Sequence, residues 1–141
     1  MNTHFKHLEQ MYLAAPINEL YKPTISISNG HCVIEMEVNP QFFHAANALH
    51  GSVYFKKLDD AAFFAANSVV EDVFVLTGTF KTRLIRPVNE GNLIAKGELI
   101  EQDDNKLIAK SKLFNNKKLV ATGEGVFIKS KMALNNLEGY A

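Results

Sequence analysis

One stretch of the sequence holds the residues best suited to chemistry, a glycine and, further on, an aspartate. Gly51 follows His50 where a helix is predicted to begin, and free N–H groups at a helix N-terminus stabilise developing negative charge. Asp59 falls at the edge of the apolar arc on a helical wheel, where partial desolvation raises a carboxyl pKa and favours proton transfer. These residues could therefore promote attack on a carbonyl carbon. The alternatives are structural: a turn glycine, an N-cap at Ser52, and a boundary carboxylate paired with Lys56.

The spacing of these two groups predicts a site shared between chains. Gly51 and Asp59 are separated by about 12 Å along one helix, at about 1.5 Å per residue. A general base must come within roughly 3 Å of its target or act through one water. If both groups act on one carbonyl, Asp59 must come from a neighbouring chain whose helix runs in the opposite sense. The sequence thus predicts a dimer.

The same wheel divides the helix into two faces. An arc that includes Tyr54, Phe55, Leu58 and four alanines predicts the face that packs on a sheet. The opposite arc is predicted to be solvated and contains Lys56, Lys57, Asp60 and Asn67. Asp60 is interpreted there as an exposed carboxylate in a weak helical pair with Lys56, four residues earlier.

The flanking pattern predicts one α+β domain over residues 1–141, with its core at about 24–130. A helix is predicted at about 4–14 and a short helical turn near 17–21, followed by strands at 24–28 and 31–37 that are joined by an Asn-Gly turn. The long helix at about 51–68 precedes strands at about 72–86, 91–102, 105–115 and 118–129, which are interpreted as an antiparallel meander. The last dozen residues are expected to be poorly anchored.

Composition is that of an ordinary globular domain. The 141 residues include 47% hydrophobic residues, and 15 basic residues balance 15 acidic ones. This balance gives no support for a nucleic-acid or membrane partner. Cys32 is the single cysteine, so an intramolecular disulfide is impossible and a reducing compartment is favoured. Without a signal-peptide pattern, a cytoplasmic location is expected.

The segment from His50 to Ala61 resembles the signature of hot-dog thioesterases of the PaaI-like group, in which His-Gly-Gly is followed after six residues by Asp. The later Arg86-Pro87 and Gly91 are similar to the end of a strand and a glycine turn in that family. This resemblance covers about residues 25–130. It implies a hot-dog fold, in which a sheet of about six strands wraps around one central helix. It also implies hydrolysis of an acyl-coenzyme A thioester by a homodimer or homotetramer, without a metal or cofactor.

The resemblance also implies roles for individual residues. Gly51 would donate its amide to the oxyanion, His50 would orient the loop or contact the thioester, and Asp59 of the facing subunit would be the general base or nucleophile. Thr77 matches a position where members of that family often have a serine or threonine that orients the attacking water. Where the family has asparagine and a second glycine, this chain has His44 and Ser52. Asn47 is close in sequence to His44 and could take the place of the asparagine.

Other residues leave alternatives open. Lys81, Arg83 and Arg86 alternate along a strand and could pair with coenzyme A phosphates, or they could lie on a solvated strand face. The five histidines lack metal-ligand spacing, so no metal is expected. Two rival functions remain: an acyl-CoA-binding protein without turnover, and a hot-dog hydratase or dehydratase.

Overall fold

The computed structural model describes residues 2–141. The three α-helices are α1 (Thr3–Ala14), α2 (Pro16–Tyr21) and α3 (Gly51–Asn67). Asn2 caps α1 by accepting the N–H of His4 at 2.8 Å. Pro16 begins α2, at a position where its missing N–H would have no helical partner. None of the helices among residues 2–141 combines the length and hydropathy that a membrane crossing requires.

Six antiparallel strands form one sheet. They are β1 (Thr24–Ser28), β2 (His31–Glu37), β3 (Val73–Leu84), β4 (Asn92–Gln102), β5 (Lys106–Asn115) and β6 (Lys118–Ala133). Gly30 adopts a φ of 74° in the turn between β1 and β2, which confirms the predicted Asn-Gly hairpin. The α+β class, with a six-stranded antiparallel sheet packed on one long helix, is also confirmed.

The predicted four-strand meander is wrong at β3. The strand order is β1-β2-β4-β5-β6-β3, so only β4, β5 and β6 pair in sequence. The connection after β3 passes β6 and β5 to reach β4, which pairs with β2, while β3 pairs with β6 at the edge of the sheet. Turn residues indicate where strands end, but they do not specify which strand becomes the neighbour.

Small residues let α3 lie close against the sheet. Ala61, Ala62, Ala65 and Ala66 are completely buried. A Cβ atom at Gly97 of β4 would lie 2.0 Å from the carbonyl oxygen of Ala61, so only glycine fits there. This close contact fixes the height of α3 above the sheet.

The opposite side of α3 is buried as well, and the predicted solvated arc is wrong. Lys57 is 1% exposed and Asn67 is fully buried. The Lys57 ammonium donates to the Tyr12 hydroxyl at 3.2 Å and lies over the Tyr12 and Tyr21 rings. Burial lowers the pKa of Lys57 to about 8, against the opposing charge of Asp60. The N-terminal helices cover this face, which a wheel drawn for α3 alone leaves in water.

The C-terminal residues are anchored to α1, contrary to expectation. Tyr140 is 5% exposed, and its hydroxyl lies 2.6 Å from Nδ1 of His4. The other ring nitrogen of His4 lies 2.9 Å from the carbonyl oxygen of Asn67, at the end of α3. One buried histidine thus joins both chain ends to the central helix.

The two edges of the sheet differ. At the β1 edge, α1 packs on the strand and Glu9 accepts the N–H of Ile27 at 2.8 Å. The β3 edge has no strand on its outer side among residues 2–141. A long strand with unpaired backbone groups is a template for pairing with another chain.

Candidate active site

Three contacts join α3 to the inner side of β3. Thr77 donates its hydroxyl to Asp59 at 2.9 Å. The rings of Phe80 and Phe55 meet edge to face, with centroids 5.4 Å apart. At the start of α3, a Cβ atom placed on Gly51 would lie 3.5 Å from Cδ1 of Leu84. Three successive positions on α3 therefore contact three successive positions on β3, the strand at the free edge. The pairs are Asp59 with Thr77, Phe55 with Phe80, and Gly51 with Leu84.

A bulge in β3 makes this alignment possible. Thr77 is opposite Phe127 and Thr79 is opposite Val126, so Gly78 is an extra residue in β3. Because Phe127 is fully buried, Thr77 shares the face of the sheet that meets α3. The bulge changes the alternation, so that Phe80 also faces the helix.

Asp59 lies in an environment suited to proton transfer. Burial raises its pKa from 3.8 to about 6, the Thr77 hydrogen bond lowers it, and the neighbouring charge of Asp60 raises it further. Lys56 is the weakest of these influences and lowers the pKa. Asp59 makes no salt bridge among the described residues. A carboxylate of this kind is ionised at pH 7 and is a stronger base than an exposed aspartate.

Asp60 is held in a different way. It accepts hydrogen bonds at 2.7 Å from the Tyr12 hydroxyl and from the Lys56 ammonium. The predicted pair with Lys56 is confirmed, but the interpretation of Asp60 as solvated is wrong, because its side chain is only 16% exposed. Its two partners satisfy it inside the junction of α1 and α3.

His50, and not Ser52, caps α3. The Nδ1 atom of His50 accepts the N–H of Ser52 at 3.1 Å and lies 2.9 Å from the Ser52 hydroxyl. The first helical residue is Gly51. Within the part of the chain that the structure describes, the Gly51 amide donates no hydrogen bond, so it is available to an oxyanion.

A cleft of about 400 Å³ opens beside Gly51 and is lined in part by His44, Tyr54 and Arg86. His44 accepts the N–H of Ala46 at Nδ1, 3.0 Å away. The Arg86 carbonyl accepts the Tyr54 hydroxyl at 2.8 Å, which fixes the chain after β3. Asn47 occupies a left-handed turn with φ of 63° and is not among the residues of the cleft.

The structure does not bring Lys81 and Arg83 to this cleft. They are opposite Glu124 and Thr122 of β6, on the face of the sheet that points away from α3. Arg86 alone of the three cations lies beside Gly51. A phosphate-binding role for Lys81 and Arg83 stays a prediction and would require a ligand that reaches the outer face.

One chain therefore presents two half-sites. The first half-site lies at the start of α3 and consists of Gly51, His50, Ser52, His44 and Arg86. The second lies two turns further along the helix and consists of Asp59 and Thr77. Sequence reasoning missed the residue between them: Phe55 was assigned to the packed face, yet it is 43% exposed. Its position in the sequence, halfway between Gly51 and Asp59, could have indicated that Phe55 lies in the site.

Solved structures of similar architecture support the fold. The Escherichia coli PaaI protein of the phenylacetic acid degradation operon matches with a TM-score of 0.83 and 20% identity, covering 94% of this chain and 99% of that one. A Silicibacter pomeroyi thioesterase family protein gives 0.78 and 20%, covering 87% and 97%. A putative thioesterase from Ralstonia eutropha gives 0.77 and 18%, covering 87% and 98%.

These likenesses establish the architecture that the resemblance implied. The chain has the hot-dog fold of PaaI and thioesterase-superfamily structures. No protein-family model matches the sequence, and no curated protein sequence matches it. Sequence identities of 18–20% establish the fold and nothing beyond it.

Proposed function

We propose that this protein hydrolyses an acyl-coenzyme A thioester to a free acid and coenzyme A. The single observation that carries the proposal is the environment of Asp59, a partly desolvated carboxylate with one hydrogen bond from Thr77 and a pKa of about 6. The thioesterase names of two structural neighbours support the choice of substrate. The resemblance of the segment from His50 to Asp59 to the PaaI-like signature supports it too.

In the proposed reaction, the Asp59 carboxylate takes a proton from water as the water oxygen bonds to the thioester carbonyl carbon. The carbonyl oxygen becomes an oxyanion and accepts the Gly51 amide N–H of the other subunit. The carbon–sulfur bond then breaks, the coenzyme A sulfur leaves with the electron pair, and the proton held by Asp59 neutralises it. Direct attack by Asp59, followed by hydrolysis of the anhydride, is the nucleophilic alternative.

The free edge of β3 supports a dimer as the active species. On β3, Thr77 contacts Asp59 and Leu84 lies beside Gly51, so the strand passes both half-sites. Because Gly78 is an extra residue in β3, Thr77 and Leu84 are each three paired positions from Lys81. Two β3 strands paired antiparallel about an axis at Lys81 therefore set Thr77 of one chain opposite Leu84 of the other. That register brings each Asp59 towards the Gly51 amide of its partner. A homodimer, or a homotetramer built from two of them, follows from this proposal.

The primary test is release of free thiol from a panel of acyl-CoA thioesters, with short, long, branched and aromatic acyl groups. Turnover of at least one thioester, with loss of activity in Asp59→Asn, is the expected result. Tight acyl-CoA binding without thiol release would favour the binding protein instead. Addition of water across an enoyl-CoA would favour the hydratase.

Mixed dimers test whether the site is shared. Gly51→Pro removes the amide N–H at the first helical position, where proline is tolerated, and His50 already has the extended conformation that precedes proline. Gly51→Ala keeps the N–H and is the matched control. Mixing inactive Gly51→Pro and Asp59→Asn chains should restore about a quarter of wild-type activity, because half of the dimers are mixed and each has one intact site. No recovery would place both groups within one chain.

A further inference from the structure

An exposed aromatic side chain lies at the centre of the candidate site. Phe55 is 43% exposed, although it lies on the helix that the sheet surrounds. It is four residues after Gly51 and four before Asp59, so about 6 Å along the helix from each. Neither the catalytic roles above nor the packing of the core accounts for its exposure.

The chain holds Phe55 in place with a dedicated support. Phe80 packs edge to face against Phe55, and its ring lies over Gly123 and Gly125 of β6. A Cβ atom at either glycine would come within 2.5 Å of the Phe80 ring, so both positions exclude larger residues. Phe127 meets Phe80 on the inner side, with centroids 6.5 Å apart. The Phe55 ring, although exposed, is therefore held in one position by its packing on Phe80.

The spacing places Phe55 at the symmetry axis of the proposed dimer. If Asp59 of one helix faces Gly51 of the other in both directions, the residue midway between them faces its own copy. That residue is Phe55. The register about the axis at Lys81 brings the two Phe80 rings, each one residue from the axis, to the same region. Two exposed phenyl rings that meet there also remove apolar surface from water.

We propose that Phe55 of each chain, seated on Phe80, meets the partner's Phe55 at the dimer axis and forms the wall that separates the two acyl sites. The wall limits the size of the acyl group, because an acyl chain extending from the carbonyl between Gly51 and Asp59 runs against it. Phe55 is therefore a specificity-determining residue. This inference rests on the proposed thioesterase function.

Cross-linking tests the juxtaposition without any activity. In a Cys32→Ser background, Phe55→Cys treated with a short bis-maleimide should give a covalent dimer within minutes. Leu13→Cys is the control, since Leu13 is 51% exposed but lies on α1, far from β3. Equal cross-linking at both positions, or none at Phe55→Cys in a protein that sediments as a dimer, would overturn the placement.

Substrate selectivity tests the wall. In Phe55→Ala, the ratio of kcat/KM for a long acyl-CoA to that for a short one should rise at least about tenfold, because added methylenes fit the enlarged space. Phe55→Trp should change the ratio in the opposite direction, and Phe80→Leu should produce a smaller rise. Leu13→Ala should leave it unchanged. Equal loss for all chain lengths in both Phe55 variants would refute the wall.

The two proposals can fail separately. Wild-type protein without turnover on the whole panel refutes the thioesterase function. Affinities for S-alkyl coenzyme A thioethers of increasing length then test the wall by binding alone, with the same expected ratios. Wild-type turnover with an unchanged ratio in Phe55→Ala refutes the wall and leaves the thioesterase function standing.

Discussion

Asp59 and Asp60 are consecutive residues of α3, and both are largely withdrawn from water, yet their surroundings differ. Asp60 has a cation and a phenol at 2.7 Å, which satisfy its charge. Asp59 has one neutral hydroxyl and no cation in contact, so burial raises its pKa to about 6. Burial alone therefore does not create a base; burial without a compensating charge does.

The position of each residue on the helix explains this difference. Asp60 points into the junction with α1, where Tyr12 and Lys56 are fixed by packing. Asp59 points along the free edge of β3, where its remaining oxygen can meet water or a substrate. One carboxylate joins helices together and the other is kept incompletely satisfied, an arrangement typical of catalytic groups.

The largest effect should come from removing the charge of Asp59. Asp59→Asn should lower thioester turnover by roughly 100-fold to 10,000-fold, the range of a positioned general base. Thiol release measures it, and sedimentation should show an unchanged oligomer. A loss of less than about threefold would not fit a general base or a nucleophile.

The stability of the same variant should move in the opposite direction. Because the folded-state pKa of Asp59 is raised above its ordinary 3.8, its contribution to stability is complete below about pH 4 and is lost as pH rises through about 6. Asn does not titrate, so Asp59→Asn should be stabilised relative to wild type at pH 8 more than at pH 4. Urea unfolding at fixed protein concentration measures the two differences, and equal differences would argue against a raised pKa.

Asp60→Asn should show the reverse pattern, with lower stability and retained chemistry. Losing the charge partner of Lys56 should cost about 2 kcal/mol in the free energy of unfolding, as for a partly buried charged hydrogen bond. Glu98→Gln is the control: its pair with Lys110 spans 3.9 Å with both side chains about half exposed, and should contribute under about 0.5 kcal/mol. A larger loss of turnover in Asp60→Asn than in Asp59→Asn would exchange the two roles.

Thr77→Val should weaken Asp59 in a pH-dependent manner. The hydroxyl stabilises the ionised carboxylate, so its removal raises the pKa of Asp59 and moves the acid limb of the kcat/KM profile to higher pH. Turnover at pH 6 should fall by about tenfold, as for one hydrogen bond to a charged group. Thr79→Val is a nearby control on the other face of β3. An acid limb that moves to lower pH would contradict the assigned hydrogen bond.

Much of the fold could be predicted because it depends on local signals. The predicted strands at 24–28 and 31–37 have the observed bounds, and the long helix differs by one residue at its end. The position of β3 could not be predicted, since pairing with β6 depends on a crossover that no turn residue encodes. The wheel predicted the sheet-facing alanines, all four of which are completely buried.

The site could be predicted only in part for a related reason. The edge position of Asp59 follows from its angle on the helix, but its contact with Thr77 needs the bulge at Gly78. The environment of Asp60 depends on Tyr12, 48 residues earlier in the chain. A wheel assigns one buried face, whereas α3 is covered by the sheet and by α1. The burial of Lys57 could not be predicted from the sequence around Asp60, because the two tyrosines that cover it, Tyr12 and Tyr21, are distant in the chain.

Tyr12→Phe should produce the smallest effect on turnover, and it tests the comparison of Asp59 with Asp60 most closely. It removes the hydroxyl that donates to Asp60 and accepts from Lys57 but keeps the ring that packs edge to face on Phe64. The free energy of unfolding should fall by about 2 to 3 kcal/mol, because two hydrogen bonds to charged groups are lost. Turnover and the acid limb should stay unchanged, because the hydroxyl contacts Asp60 and not Asp59. If the acid limb moves, α1 controls the base through its neighbour, and the two carboxylates are one coupled unit.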